Sequence, residues 1–462
     1  MGCSRAFCLV ALVPLLGAIL ARVVIRSSGW ARVQIAVGLM GWDGVGEIAR
    51  ETFAQRWLGQ KMTSSRREFL GLLDALAEAD EKYLSPTGRA VVHPDNIAEG
   101  HKYLSHLLRT GFETLLEQDA RRPAFRKLVA ADRKILGDNP DAFYYCSNLD
   151  KSLAYIVEGT NTGEDYFSLT VYTAPCEGCF FKDTIADIND RAGGFSVDPA
   201  TGQFKVWVSA SPPPEAFDGD WMNIAEALER PEATAFQLVT RHYYERETSV
   251  CADPLMEGTV NISISLAGGD STRGFRRAAP RASVPADAEM ARKLKAVSSF
   301  VRKHSTELEQ DPTEAPKWFS FTLNEFGNPA VFRDENTGGV GAVDIAYSAA
   351  PFKLAPDEAL VIRGTMPACA FANVVLWNRY LQTFDYVDRQ TSLNRKQMRT
   401  IDGQDQEYAI VLSHTDPGRP SEYDWLDTMG RSGGTVFWRF LLPEGNVTKP
   451  QATVVKLSSL SL

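Results

Sequence analysis

Phe195-Ser-Val-Asp-Pro-Ala-Thr-Gly-Gln-Phe-Lys-Val-Trp-Val208 sets two runs of aromatic and β-branched residues on either side of Asp198-Pro-Ala-Thr-Gly202. Asp, Pro and Gly are turn formers, so the stretch reads as a β-hairpin, and Pro212, Pro213 and Pro214 stop its second strand. The same strand chemistry begins at about Asp141 and recurs at Ala154 to Val157 and at Tyr166 to Tyr172. Within this region Ile224 to Leu228 reads as a short helix, and Ala235 to Tyr244 as a further stretch of period 3.6. Downstream, strands return at Trp318 to Leu323, Ala359 to Arg363, Tyr408 to Leu412 and Thr435 to Leu442. No internal repeat is evident.

Upstream of Asp141 the pattern is helical from Trp42 to about Lys134. Ser65-Arg-Arg-Glu68 reads as a capping box ahead of Phe69, Leu72, Leu73, Leu76 and Tyr83 on one face. Asp95 reads as the cap of a second helix carrying Ile97, Leu104, Leu107, Leu108, Leu115 and Leu116. His101 and His106, five residues apart, lie about 140° apart around that helix, which speaks against a shared metal. A Gly-, Pro- and Arg-rich stretch near Gly268 to Pro285 reads as a linker, after which Asp287 caps a helix bearing Met290, Leu294, Val297 and Val301. The fold class expected is α+β, mainly β. Its parts are an apolar leader over 1–28, a helical region over 31–140, a β-rich middle domain over 141–267, a linker over 268–286 and a helix plus β-rich domain over 287–462.

The 462 residues are 44% apolar and 23% charged, values of an ordinary globular chain. Lys and Arg number 49 against 58 Asp and Glu, a net charge of −9, which argues against nucleic acid as the main partner. Ala6 to Ala21 carries no charge and follows Arg5, so it reads as a single membrane anchor or a secretory signal, with Arg22, Arg26 and Arg32 behind it. A secretory route makes the sequons at Asn261 and Asn446 glycosylation candidates. It also makes Cys146, Cys176, Cys179 and Cys251 disulfide candidates, able to give two bridges by any of three connectivities, and at least one bridge is expected to tie the middle domain, while Cys369 stands apart. Cys176-Glu-Gly-Cys179 has the spacing of half a zinc knuckle but lacks a matching second pair, so no metal site is assigned.

The densest group of unusual residues lies between Cys369 and Glu444. It comprises Phe371-Ala-Asn-Val-Val-Leu-Trp-Asn-Arg-Tyr380, Ser392-Leu-Asn394, Ser413-His-Thr-Asp-Pro-Gly418, Trp425-Leu-Asp-Thr-Met-Gly430 and Phe437-Trp-Arg-Phe-Leu-Leu-Pro-Glu444. These segments resemble the family catalogued as domain of unknown function 1214, in which a Trp-X-Asp/Glu-Thr-X-Gly step precedes a strand bearing Arg. Glu99-Gly-His-Lys-Tyr-Leu104, Gly137-Asp-Asn-Pro-Asp141, Trp221 and Arg241-His-Tyr-Tyr-Glu-Arg-Glu247 look like the upstream part of longer members. The resemblance implies jelly-roll-like β-sandwiches and supplies no substrate, cofactor or catalytic residue.

Two chemistries fit the C-terminal group. Trp377, Asn378, Arg379 and Trp425 combine aromatic faces with hydrogen-bonding groups, as a binder of carbohydrate or another polar ligand requires. Tyr380, Tyr386 and Trp438 add to the aromatic count. His414, Asp416, Asp427 and Arg431 supply an acid, a base and a cation for hydrolysis, metal-assisted or not. Arg439, between Trp438 and Phe440, reads as a residue alternating outward from its strand. A nucleophile elbow, a Gly-rich phosphate loop and a His-X-X-X-His pair are absent, so the sequence favours binding over catalysis, with an interaction scaffold third.

Overall fold

The computed structural model describes residues 63–86, 91, 93–179, 181, 183–191, 193–256, 258–267, 285–307, 316–331, 341–399, 406–418 and 421–460. The apolar run at Ala6 to Ala21 lies outside the described residues, as does the stretch 268–284. The chain divides into two compact units, Met1–Arg67 and Glu68–Leu462; the fold and site below belong to the second.

Three helices form one layer: α1 (Ser64–Glu78), α2 (Pro94–Gly111) and α3 (Asp287–Lys303). α2 does not start on Asp95. His93 is the N-cap, its Nδ1 accepting from the Asp95 N–H at 3.3 Å, and Pro94 occupies the first turn, where no donor is lost. Leu72 and Ala75 of α1 pack against Leu294, Val297 and Val301 of α3.

The first β unit runs through β1 (Arg126–Lys127), β2 (Ala142–Leu149), β3 (Tyr155–Thr160), β4 (Tyr166–Ala174) and β5 (Asp183–Asn189). It continues through β6 (Gln203–Ser209), β7 (Asp220–Asn223), β8 (Ala235–Tyr243) and β9 (Asn261–Leu266). A five-stranded sheet of order β1-β2-β8-β4-β5 faces a four-stranded sheet of order β7-β6-β3-β9, and Phe167, Leu169 and Val171 meet Val157, Val206 and Val208 in the core between them.

The second β unit holds β10 (Ala330–Val331), β11 (Ile345–Lys353), β12 (Glu358–Thr365), β13 (Phe371–Trp377) and β14 (Ser392–Asn394). After these come β15 (Glu407–Ser413), β16 (Asp424–Asp427), β17 (Gly433–Leu441) and β18 (Gln451–Lys456). Its sheets have the orders β10-β11-β17-β13-β14 and β16-β15-β12-β18, closing over Val374, Leu376, Trp438 and Phe440. The protein is therefore α+β and mainly β, with α1 and α2 ahead of the first β-sandwich and α3 between the two in the chain.

The two sandwiches have the same plan. Adding nine to each strand number of the first reproduces the sheet orders of the second, down to the parallel pairs β6–β7 and β15–β16. This structural duplication was not legible as a sequence repeat, because the shared property is the order of pairing rather than residue identity.

Ala235 to Tyr244, expected from its periodicity to be helical, is the central strand β8 with a helix nowhere in it. All but the first residue of β8 are buried, so neither face alternates with solvent and period 2 is hidden. The outer faces of β8 and β17 turn toward one another: Tyr166 and Tyr243 share an apolar cluster with Tyr347, Phe371, Trp377 and Phe437.

Candidate functional site

The duplication places two arginines in matching positions. Arg241 on β8 pairs in register with Tyr144 on β2 and Ser168 on β4. Arg439 on β17 pairs with Tyr347 on β11 and Asn373 on β13. Four residues beyond Ser168 stands Tyr172, and four beyond Asn373 stands Trp377; the Arg241 guanidinium lies 5.4 Å from the Tyr172 ring centroid and that of Arg439 lies 5.0 Å from the Trp377 ring. Each sandwich thus presents an arginine, a cross-strand tyrosine and an aromatic plate on the face it turns to the other.

Between these faces lies a cavity of about 200 Å³, lined by both arginines and by Tyr144, Tyr243, Tyr347, Trp318, Trp377 and Phe437. Arg241 donates to Thr170 Oγ1 at 2.7 Å and to the Tyr172 hydroxyl at 2.5 Å. Arg439 is 4% exposed; its Nη2 donates to the Gly137 carbonyl at 2.7 Å, while its Nη1 is buried with no hydrogen-bond partner. Trp318 Nε1 is a second buried donor without a partner on the same cavity. Burial raises the hydroxyl pKa of Tyr243 and Tyr347, so the phenols stay neutral and remain donors. Asp138, also in the lining, accepts from Thr383 N at 2.9 Å and Thr383 Oγ1 at 2.5 Å; burial raises its pKa, and the nearby charges of Lys134 and Arg439 act in the opposite direction.

The roof of the cavity is the segment between β1 and β2. Leu136 and Gly137 have φ of 53° and 75°, and a Cβ on Gly137 would stand 2.7 Å from Trp377 Cη2, so only glycine fits. Lys134 Nζ ties the roof to the second sandwich through the carbonyls of Thr383 at 3.1 Å and Phe384 at 2.8 Å. Beyond the roof, the buried Asp141 carboxylate accepts from Asn373 Nδ2 at 2.8 Å and Asn394 Nδ2 at 3.0 Å, and Asn373 also reaches Asn139 Oδ1 at 2.6 Å. Asp141→Ala leaves each amide short of one of its two acceptors in a buried interior, and we expect a loss of about 2–4 kcal/mol in chemical denaturation at neutral pH.

The residues singled out in the sequence disperse. Of the candidate binding and catalytic residues, Trp377 alone lines the cavity, its Nε1 donating to the Asp138 carbonyl at 3.1 Å. Asn378 is buried in the loop after β13, where its Oδ1 accepts from the N–H groups of Tyr380 and Gln382, and Arg379 lies 6.0 Å from the Tyr380 ring. His414 Nδ1 is 2.5 Å from Thr428 Oγ1 and Trp425 Nε1 donates to Ser413 Oγ at 3.1 Å. Asp416 caps its own turn, accepting from Gly418 N at 2.8 Å. Asp427 accepts from Met429 N at 2.6 Å and meets Arg389 at 3.5 Å, and Arg431 pairs with Glu99 on α2 and covers the Phe384 ring at 4.8 Å. The hydrogen bonds of Asp416 and Asp427 do not include His414. Asn261 and Asn446 are both exposed.

Of the four clustered cysteines, Cys176 and Cys179 are bonded to each other, which gives the middle domain one disulfide, while Cys146 and Cys251 are free thiols and no second bridge forms between them. Cys146 lies fully buried on β2 beside Tyr172 and Val239, and burial pushes its thiol up to about 12, which leaves it unreactive. Cys251 donates through Sγ to the Ala142 carbonyl at 3.3 Å. Arg439 also departs from expectation. It does alternate away from the core of its own sandwich, but the other sandwich covers that face.

Sequence reasoning missed Arg241, Arg439, Tyr144 and Tyr347 as a set. The available signal was that Arg241 and Arg439 each sit among aromatic residues in an apolar strand, an unusual setting for a charge. What the cavity can do is hold an anion: two guanidiniums and several neutral donors converge on a space walled by aromatic rings. Its described lining has no Ser, Cys, His or Lys to act as a nucleophile. Among the described residues no group of three His, Cys, Asp or Glu is placed to hold a metal.

A further link between the sandwiches titrates. Asp344, 8% exposed, accepts from the Tyr166 hydroxyl and from Asn189 Nδ2 at 3.3 Å, and burial pushes its carboxyl up to about 6. The folded state therefore favours the protonated acid, and its contribution to stability declines as pH rises from the unfolded value near 3.9 to about 6. Asp344→Asn, which keeps an uncharged amide there, should gain about 2–3 kcal/mol over the parent in urea titrations at pH 7.5 and nothing at pH 3.5.

Among solved structures, the chain resembles an uncharacterised protein from Burkholderia cenocepacia with a TM-score of 0.68 at 24% identity, over 85% of this chain and 97% of that one. That likeness shows the fold. A protein from Vibrio parahaemolyticus aligns over 84% of this chain and all of its own, at 14% identity and a TM-score of 0.46. No family model matches the chain, and no curated protein matches it.

Proposed function

We propose that the protein binds a small organic anion in the cavity between its two sandwiches. The observation that carries this reading is Arg439: a buried guanidinium with one nitrogen lacking a partner, facing a cavity. A buried charge left short of hydrogen bonds is costly, and a carboxylate ligand supplies both the charge and the acceptors. Carboxylates with a ring or chain body use the aromatic walls as well. Acidic sugars share the head-group chemistry, which keeps a carbohydrate ligand within the class, whereas a neutral sugar brings no counter-charge.

The test is calorimetric titration of the purified protein with benzoate, butyrate, glucuronate, glucose and inorganic phosphate. Saturable binding of one or more carboxylates, lost in Arg439→Met, is the expected result. Binding of glucose alone, or carboxylate binding that is unchanged in Arg439→Met, overturns the reading.

The hydrolytic alternative rests on the contact between His414 Nδ1 and the Thr428 hydroxyl. It requires substrate loss in a metabolite mixture that disappears in His414→Ala and Asp416→Asn. An interaction scaffold, third in order, is what remains if neither binding nor turnover is found.

The compartment we propose is the secretory or envelope route, as a secreted or singly anchored protein. The apolar run at Ala6 to Ala21 and the exposed sequons at Asn261 and Asn446 support it. Among the described residues no helix is long and apolar enough to cross a membrane, so an anchor rests on that run. Fractionation of the full-length protein with glycosidase treatment checks it, and unglycosylated cytosolic material overturns it. Membership of the family of domain of unknown function 1214 is likewise proposed, on the motif residues at Trp425 to Gly430 and Phe437 to Glu444.

A further inference from the structure

A second cavity, of about 240 Å³, adjoins the anion site. Leu128, Ile135 and Leu136 border both. The floor is also continuous: Ala235 and Gln237 of β8 line the second cavity, while Val239, Arg241 and Tyr243 line the first. These are alternate residues of one strand, so they share a face, and Ala235 to Arg241 spans about 20 Å at the rise of a strand.

The wall of the second cavity is mostly apolar, and several of its polar groups are already paired. Its Gln118 donates to the Cys146 carbonyl at 3.1 Å, its Asn148 to the Thr114 carbonyl at 3.1 Å, and its Gln237 to Asn148 Oδ1 at 2.9 Å. Lys293 Nζ is held by the carbonyls of Leu116 at 2.7 Å and Gln118 at 3.1 Å. Leu115, Leu149, Phe181, Phe236 and Phe300 supply apolar walls, and the carboxylates of Asp119, Asp150 and Glu177 also belong to the lining. Arg121, Glu289 and Arg292 are exposed and mark the rim.

We infer that the two cavities are the head and tail chambers of one elongated site, and that its ligand is a linear monocarboxylate with an unbranched apolar chain. The inference rests on the anion reading: the carboxylate sits at Arg439 and Arg241, and the chain passes the Leu128, Ile135 and Leu136 side chains along the face of β8. One chamber supplies unmet hydrogen-bond donors and a charge, and the other supplies apolar walls. A ligand with those two ends satisfies both.

The experiment is a calorimetric series of saturated straight-chain carboxylates from four to fourteen carbons, each below its micelle concentration, on the unmodified protein and on Ala235→Phe and Arg439→Met. The expected result is a Kd that tightens about fourfold per methylene until the tail chamber is full. In Ala235→Phe, which fills the tail chamber, the short acids bind as before and the gain with length stops earlier. In Arg439→Met, all lengths weaken. Short acids that bind through Arg439 with no gain on lengthening overturn the joined-chamber inference and leave the anion site standing. No binding at any length overturns both. A length dependence untouched by Arg439→Met places the chain elsewhere and overturns the inference as well. The series on the unmodified protein is decisive even if Ala235→Phe does not fold.

Discussion

Replacing Arg439 by Met is expected to abolish most carboxylate affinity while leaving the fold as stable as before or more so. The two effects have different physical origins. In the complex, Arg439 Nη1 gains an ionic acceptor, and removing one partner of a buried, hydrogen-bonded charge pair costs about 2–5 kcal/mol, or tens- to thousands-fold in Kd. In the unliganded protein the same guanidinium is desolvated, stacked at 5.0 Å on Trp377 and 4.9 Å on Phe437, and bonded through only one nitrogen, to Gly137. Methionine keeps contact with both rings and removes the buried charge, so loss of the Gly137 bond is offset, and we expect a change between zero and a gain of about 2 kcal/mol. Calorimetric titration and urea denaturation of the same preparation check the pair. A variant destabilised by several kcal/mol would show that Arg439 is an internal clamp between roof and sheet rather than a group held ready for a ligand.

Gly137→Ala is expected to have the largest effect on stability of any single methyl addition near the site. At φ 75° an L-residue other than glycine pays about 1–2 kcal/mol. The added Cβ also meets Trp377 Cη2 at 2.7 Å and Cζ2 at 2.9 Å, and Trp377 has little room to retreat because its ring stacks on Phe437 at 4.0 Å. Overpacking of a closed interior adds about 1–3 kcal/mol, so the sum is about 2–5 kcal/mol. Because the Gly137 carbonyl also fixes Arg439, binding should weaken in the folded fraction. Thermal denaturation and titration at a temperature where the variant is fully folded separate the two effects. A cost below about 0.5 kcal/mol would mean that the roof yields, and that the glycine there is not required by the packing.

The hairpin expected across Phe195 to Val208 is not formed: Phe195 to Val197 is not a strand, and β6 pairs with β3 and β7. Its turn at Asp198-Pro-Ala-Thr-Gly202, the strands around Tyr166, Phe204, Ala359, Tyr408 and Thr435, and the helices near Leu72, Leu104 and Leu294 were legible in the sequence. Each is set by chemistry acting over a few residues: turn formers fix φ locally, and one-sided apolar patterns record which face is buried. Trp377, singled out on similar grounds as a large aromatic face amid polar neighbours, lines the cavity. β8 was not, because a strand buried on both faces shows no alternation, and Ala235 to Tyr244 then matches a helical period by accident of composition.

The pairing of Arg241 with Arg439 was beyond reach for a different reason. The sequence alone determined that Arg439 alternates with Trp438 and Phe440, which places it on the far side of its strand from the core. Only the tertiary structure decided that this far side is not solvent. The second sandwich repeats the strand order of the first and lays β17 against β8, so two outward arginines nearly 200 residues apart become two inward ones facing one cavity. Side-chain period is a property of one strand, whereas what covers its face depends on how whole sheets pack, and that is settled by the summed apolar area of both faces rather than by any residue on either.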